Sequence, residues 1–594
     1  MTGFACTSIG RPSLMSSRLF ILAGALVIGS LTLLSPSSAK AQDKSRQPTP
    51  SVTLLSQSGA VAADHPLASA VGAGVLERGG SAADAGVATL LTLGVVNPFA
   101  SGIGGGGFCL YRDAETQKVE ALDFREIAPA AASRDMYLVK GKADPSLSRY
   151  GGLAVGVPGE AAGLWALHQR HGSLEWSEVV QPAHDVAANG FFAGELLPGR
   201  LASKNDKLQD LPDFTRAFGK PDGGWVGAFE LIEREDLAKT LALYRDQGPK
   251  GFYTGEVAEA IVAAVKRSGG IITKKDLEDY EVSWREPLQG TYRDRYTIYS
   301  MPSPSSGGVV IIQVLNVLEG FELAKMGFTT ESAHSIIEAL KHAFADRARY
   351  MGDADFVKVP TQALTSKRYA EEVRAKIDAS KTRDKSAYGS TKPPKDDSGT
   401  THVSVVDAAG NMLACTSTVN TSFGSLVYVP EYGIILNNEM DDFSAQPGVP
   451  NAFGLVGNEQ NAIAPGKKPL SSMSPTLVLE DGRPFMVAGG SGGPTIITGT
   501  LLAILRVIDF GMSPTQAVSD ARVHHQWLPH KVYYEGQDDE LVDGLKAKGH
   551  RVDQRPAYNS VQVIVRGEGN KGWTAVSDPR KKGRPAAPGH MNKR

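Results

Sequence analysis

From about residue 51 the chain mixes apolar positions at helical spacing with short apolar runs at strand spacing. Residues 66–80 predict a helix with Ala68, Val71 and Val75 on one face, although Gly72 and Gly74 weaken it. Residues 81–93 predict a second, faced by Ala83, Val87, Leu90 and Leu91. Pro98 ends that stretch and a glycine cluster follows. Residues 108–111 and 119–124 predict strands paired about a turn at 113–117. Helical pattern returns over about 158–189, and Ile336, Leu340, Ala343, Phe344 and Arg347 mark one face over 332–350. Past residue 399, strands are expected at 400–407 and 412–418 around a turn at 408–411. Further strands are expected at 433–436, 476–479 and 485–488, then a helix over 493–508. Irregular alternation with hairpins implies an α+β fold, antiparallel sheets covered by helices.

Three segments depart from this pattern. Residues 376–399 are rich in Lys, Asp, Ser and Pro, so they are expected to be mobile and to end one section of polypeptide. The basic end, 580–594, reads as a solvated tail. At the start, Arg11 and Arg18 precede an apolar run over 19–34, and Ala39-Lys40-Ala41 supplies a small-x-small cut site. That predicts a signal peptide over 1–41 and a periplasmic or secreted product, with no later segment long and apolar enough to span a bilayer.

The 594 residues carry a formal net charge of −2, and the near balance of signs argues against a nucleic-acid partner. With Cys6 in the signal, Cys109 and Cys415 remain, either as one disulfide or as two small buried side chains. No cysteine or histidine pair stands at metal-ligand spacing, so neither metal nor cofactor is expected.

The most informative junction is Gly399-Thr400-Thr401-His402, where a loose segment meets a strand. Cutting the Gly399–Thr400 bond would give Thr400 a free α-amine beside its hydroxyl, joining nucleophile and base in one residue. Gly102 to Gly107 match a dinucleotide fingerprint formally, but they lead into a strand instead of opening a helix; close backbone packing beside a pocket suits them better. Gly489-Gly490-Ser491-Gly492-Gly493 resembles a nucleophile elbow, with His524 or His525 as base, and this is the competing serine-hydrolase reading. Alternatively, Gly492 and Gly493 amides at a helix start would form an oxyanion hole. His402 is read as structural.

Several segments in order carry a resemblance: 122–126 around Arg125, Thr400-Thr401-His402, 437–443, 469–476, Gly492-Gly493 and 577–580. Over nearly the whole mature chain they resemble γ-glutamyltranspeptidase, a family of N-terminal-nucleophile hydrolases. The resemblance implies an αββα sandwich and a precursor that cuts itself between Gly399 and Thr400. It implies large and small subunits, 42–399 and 400–594, held together as a heterodimer. Thr400 matches the nucleophile and Thr418 its hydrogen-bonding helper. Arg125, Ser471 and Ser472 match the residues that hold a donor's α-carboxylate; Asn420, Glu439 and Asp442 match those for its α-ammonium; Gly492 and Gly493 match the oxyanion hole. The implied substrates are glutathione and related γ-glutamyl amides, with water, amino acids or peptides as acceptors. Phe453 stands where some bacterial members carry a lid tyrosine, which leaves the balance of hydrolysis and transfer open. Related alternatives are an acylase that removes a glutaryl-type group from a β-lactam, and a binding protein that kept the fold without processing.

Overall fold

A computed structural model describes residues 52–389, 399–556, 559–567, 569 and 571–589. The expected signal over 1–41 and the stretch 390–398 lie outside these residues.

Two antiparallel sheets face each other between layers of helix. One runs, edge to edge, Ala60–Ala63, Gly399–Val406, Met412–Asn420, Gly106–Arg112, Val119–Phe124 and Ser283–Arg285. The other runs Val52–Ser56, Trp573–Ser577, Ser560–Arg566, Arg483–Ser491, Thr476–Glu480, Tyr296–Ser300 and Leu288–Tyr292. Strand period two sorts their side chains. Phe108, Leu110, Met412 and Ala414 enter the core between the sheets, against Leu477, Val487 and Ile564. Cys109, Tyr111, Leu413 and Cys415 turn the other way, into the core shared with Pro66–Glu77 and Ala82–Val96. The second sheet buries Val478, Met486 and Ala488 under Gly307–Leu318, Thr330–Tyr350 and Thr495–Ile508. This is the expected αββα arrangement.

Both sheets interleave strands from either side of Gly399. Strands after it are flanked on both sides by strands before it, so each sheet is completed by both sections of chain.

Local chemistry places the helix ends. Ser81 caps Ala82–Val96 with a capping box: its hydroxyl accepts from the Asp84 amide while Asp84 Oδ2 accepts the Ser81 amide at 2.9 Å. The helix runs three residues past the expected end because Asn97 and Pro98, not the loss of periodicity, stop it. The region expected over 158–189 is two helices, Glu160–His171 and Trp176–Asn189. Between them the amides of Ser173 and Leu174 turn to Asp84 Oδ2, at 2.8 and 3.2 Å.

Two expectations are corrected. The segment thought to loosen at residue 376 stays pinned through Gly389. The Thr382 amide donates to Lys548 O at 2.7 Å, Trp527 Nε1 donates to Lys385 O at 3.1 Å, and the Tyr388 hydroxyl bonds buried Glu338. Of the expected solvated tail, the described part, 580–589, is folded in as well. Arg580 pairs with Glu535 at 2.7 Å and the Ala586 amide bonds Val61 O at 2.9 Å. Charge alone suggested solvent; the buried carboxylates of Asp578 and Asp64 supply partners for Arg580 and Lys581 that sequence could not reveal. The two cysteines, whose state the sequence left open, are bonded.

Candidate active site

The Gly399–Val406 strand and its hairpin partner Met412–Asn420 put Thr400 opposite Thr418, both facing the second sheet. The register slips between Gly399 and Thr400, an irregularity at the bond expected to break. Thr418 Oγ1 donates to Gly399 O at 2.7 Å and accepts from the Asn420 amide at 2.8 Å. Thr400 Oγ1 lies 3.1 Å from Thr418 Oγ1. A hydroxyl has one proton, and Thr418's is committed to Gly399 O; Thr400 is therefore the donor in that last bond. The nucleophile candidate, its helper and the scissile carbonyl thus form one hydrogen-bonded chain.

Behind Thr400 stands a group missed from sequence. Lys581 Nζ donates to Thr400 O at 2.5 Å and to Asp64 Oδ2 at 3.1 Å. Asp64 also accepts from Ser491 Oγ at 3.2 Å and Ser560 Oγ at 2.9 Å. Burial pulls the Lys581 ammonium below the usual lysine range, and Asp64 opposes that pull. This network ties the nucleophile strand to the strand end that carries the glycine pair. Lys581 sat in the run read as tail, and nothing local in the sequence marks it.

Beside the hairpin lies a buried charge cluster. Arg125 donates to Glu439 Oε1, to Asp442 Oδ2 at 2.6 Å and to Pro469 O at 3.1 Å. Glu126 is 3.8 Å away from it. Three acids facing one guanidinium cannot all ionise cheaply. Burial pushes Glu126 up to about 8, and pushes Glu439 and Asp442 up as well, with Arg125 pulling all three back. Ser472 Oγ and Glu439 Oε2 are buried with no partner among the described residues. Such atoms are costly unless something polar reaches them. Ser471 Oγ accepts the Met473 amide at 3.1 Å. Asn420 spends its amide donor on Asn438 O at 2.9 Å, leaving its carbonyl as an acceptor. A guanidinium bonded to two carboxylates, with Glu439 Oε2 left without a partner among the described residues, offers charges of both signs to a polar ligand. Arg347 is a second missed residue; its Nε donates to Ser306 Oγ at 2.9 Å, and Ser306 Oγ in turn donates to Ser471 O at 2.7 Å. Its signal was visible, a cation on an otherwise apolar helix face.

Gly492 and Gly493 have φ of 130° and 57°, angles that suit glycine. Neither amide finds an acceptor among the described residues. Phe453 lies over Gly493, where an added Cβ would sit 2.6 Å from the ring. The loop bearing it is anchored on the pocket: Asn451 Nδ2 donates to Asp442 Oδ1 at 3.0 Å and the Ala452 amide to Asp441 at 2.7 Å.

The competing motifs resolve by their contacts. Ser491 donates to Asp64, while His524 bonds Thr498 at 2.7 Å and Gln526 at 2.9 Å and His525 Nδ1 accepts the Trp527 amide at 2.9 Å, so neither histidine pairs with Ser491. His402 is fixed between Thr416 and Ser404 at 2.8 and 3.2 Å, and burial pulls its pKa down to about 3, which keeps it neutral. The Gly102–Gly107 run packs backbone on backbone: a Cβ on Gly105 would meet Thr418 O at 2.0 Å. His334, Glu338 and His550 come together, but Lys341 Nζ already sits 2.8 Å from Glu338 and 3.4 Å from His550.

Glu160, at the start of its helix, accepts from Ser417 Oγ at 2.7 Å, on the hairpin strand next to Thr418. Burial raises its pKa to about 8, with Ser417 opposing. An acid raised on folding binds more protons folded than unfolded between its two pKa values, so stability falls as pH climbs through that window. The thermal midpoint of the uncut chain is expected to drop between about pH 5 and pH 8. Glu160→Gln should flatten part of that slope; parallel profiles would refute the assignment.

A family model described as Gamma-glutamyltranspeptidase matches residues 68–588. The chain is 43% identical over 526 residues to the glutathione hydrolase proenzyme of Escherichia coli K12, covering 88% of this chain and 90% of that one. It is 42% identical over 540 residues to the glutathione hydrolase proenzyme of Pseudomonas aeruginosa, covering 88% and 94%. Among solved structures, cephalosporin acylase from Bacillus halodurans aligns with a TM-score of 0.79 at 26% identity, over 94% of this chain and 99% of that one. A chain of the Helicobacter pylori gamma-glutamyltranspeptidase aligns with a TM-score of 0.53 at 41% identity, over 55% and 93%.

Proposed function

The chain belongs to the γ-glutamyltranspeptidase family, and from that premise we propose that Thr400 first releases itself from Gly399 and then carries the γ-glutamyl group. The protein is a γ-glutamyltransferase and glutathione hydrolase made as a proenzyme.

In the precursor, Thr400 Oγ1 attacks the carbonyl carbon of Gly399. The Thr418 hydroxyl, bonded to that carbonyl at 2.7 Å, stabilises the developing oxyanion, and the Thr418 oxygen receives the hydrogen bond of the departing Thr400 proton. Collapse breaks the C–N bond, and the proton ends on the Thr400 nitrogen. Water then opens the resulting ester, giving a Gly399 carboxylate and restoring the Thr400 hydroxyl beside the amine already freed. The products are 42–399 and 400–594, and the interleaved strands keep them together as a heterodimer.

In turnover the Thr400 amine takes the proton of its own hydroxyl as Oγ1 attacks the γ-carbonyl. Amides of Gly492 and Gly493 receive the oxyanion. Arg125, Ser471 and Ser472 hold the donor's α-carboxylate. Asn420, Glu439 and Asp442 hold its α-ammonium. The amine leaves, and water or an amino-acid or peptide amine resolves the acyl-threonine. Glutathione and related γ-glutamyl amides are the proposed donors. Phe453 covers Gly493 without a hydroxyl to gate it, so lid closure rests on packing and on Asn451. An acylase for glutaryl groups would find carboxylates where its substrate has no amine, which disfavours that reading. The proposed location is periplasmic or secreted; the described residues include no helix long and apolar enough to cross a membrane.

The chain from Thr400 through Thr418 to Gly399 carries the proposal. N-terminal sequencing of the smaller band on a reducing denaturing gel tests it. The expected result is two bands, the smaller beginning at Thr400. An active, uncut chain would overturn it.

A further inference from the structure

The sheet that carries Thr400 is also cross-linked, and the link straddles the bond to be cut. Cys109 lies on Gly106–Arg112 and Cys415 on Met412–Asn420, adjacent antiparallel strands in which the two are register partners. They are bonded, with Cα atoms 4.2 Å apart, and are 306 residues apart in the chain. Gly399 falls between them in sequence. Both are buried, 1% and 0% exposed, on the helix-facing side of the sheet beside Tyr111 and Leu413.

We propose that this bond makes the mature enzyme a covalently tethered heterodimer, Cys109 of the large subunit joined to Cys415 of the small one. The proposal rests on cleavage at Gly399–Thr400; before the cut, the same bond is a cross-link within one chain. Its formation balances as thiol–disulfide exchange with a disulfide-bearing oxidant of an exporting compartment. One cysteine thiolate attacks that disulfide and releases one thiol; the other cysteine thiolate displaces the second. Two protein thiols are oxidised, the oxidant becomes two thiols, and the two protons pass to it.

Register explains why the pair forms. Cross-strand partners are held side by side by the hairpin ladder, so the sheet itself brings the sulfurs together. Burial explains why the bond persists. Attack on a disulfide needs access to a sulfur, and the Ala82–Val96 helix layer covers both. That matters for an enzyme whose own substrate and surroundings are thiols: glutathione at the active site, on the other face of the sheet, cannot reach the link.

The tether changes what cleavage costs. Two separate chains that come apart must meet again at bulk concentration, whereas linked chains meet at an effective concentration in the millimolar range. Oxidised mature enzyme should therefore unfold at a denaturant midpoint that does not move on ~100-fold dilution; an untethered pair should shift.

The decisive experiment uses the mature wild-type enzyme, denatured, treated with iodoacetamide and run on gels with and without reductant. Two bands with reductant, one band of summed mass without it, and no alkylated cysteine are expected. Cys109→Ala and Cys415→Ala should each give two bands in both lanes. Two bands without reductant, with both cysteines alkylated, would overturn the tether while leaving cleavage intact. One full-length band with reductant would instead overturn the cleavage reading on which the tether depends. A midpoint that drifts with dilution in the wild type would count against the tether without any variant.

Discussion

Thr400→Ala is expected to leave a single uncut chain with no measurable turnover. The substitution removes the attacking oxygen of both proposed steps, so processing and catalysis are lost together. Removing a catalytic nucleophile costs roughly 10⁴-fold or more, and here the residual activity also lacks a free amino terminus. The fold should survive. Thr400 is 5% exposed, and the change deletes only a hydroxyl and a methyl, about 1–2 kcal/mol. Thr418 keeps its bonds to Gly399 O and the Asn420 amide, so no buried carbonyl is orphaned. Intact mass and the release of a chromogenic amine from a γ-glutamyl anilide are the measurements. Thr400→Ser, which restores the hydroxyl, should restore the cut at a reduced rate. A Thr400→Ala protein that still breaks at Gly399–Thr400 would mean that something else cuts the precursor.

Arg125→Ala is the second large effect, and it acts twice. Arg125 is fully buried and is the cation bonded directly to Glu439 and Asp442. Removing one partner of a buried ion pair costs about 3–5 kcal/mol, because the other is left uncompensated. Glu439 and Asp442, already pushed up by burial, would then hold protons to higher pH still, because the guanidinium that opposes the shift is gone. The pocket loses its carboxylate fork and weakens its hold on the ammonium in one step. We expect kcat/KM for a γ-glutamyl donor to fall roughly 10²–10³-fold. Arg125→Lys keeps the charge without the planar fork, so it should recover stability better than binding. A donor lacking the α-carboxylate separates the roles: it should be a poor substrate for the parent and little worse for the variant. Equal losses with both donors would reduce Arg125 to a structural ion pair.

Much of this was legible in the residue order. The hairpin over 400–418 is plain in its period-two pattern and its turn at 408–411, and the resemblance pointed to Thr418 as the partner that the register sets opposite Thr400. The helix starting near Ser81 was read from its apolar face, and the cap at Ser81 came only with the structure. The fold class followed from hairpins and helix faces, and the motif run around Arg125, Thr400 and Gly492-Gly493 pointed to the family whose model spans residues 68–588. Lys581 was not legible, because a run of lysines and arginines near an end looks solvated, and its buried partners, Asp64 and the Thr400 carbonyl, lie 517 and 181 positions earlier. The cysteines were equally silent: which strand lies beside which is a matter of sheet order, and two cysteines far apart in sequence carry no sign of it.

Local patterning determined which segments are helix or strand and which residue types could do acyl chemistry, since backbone propensity and side-chain period act over a few neighbours. Three things were decided by tertiary structure. It alone set the meeting of Arg125 with Glu439 and Asp442, the anchoring of Lys581 at Thr400, and the pairing of Cys109 with Cys415. Each joins groups at least 181 residues apart; for the charged groups burial makes a partner obligatory, for the cysteines sheet order sets the neighbour, and both are properties of the packed sheets, not of any stretch of chain.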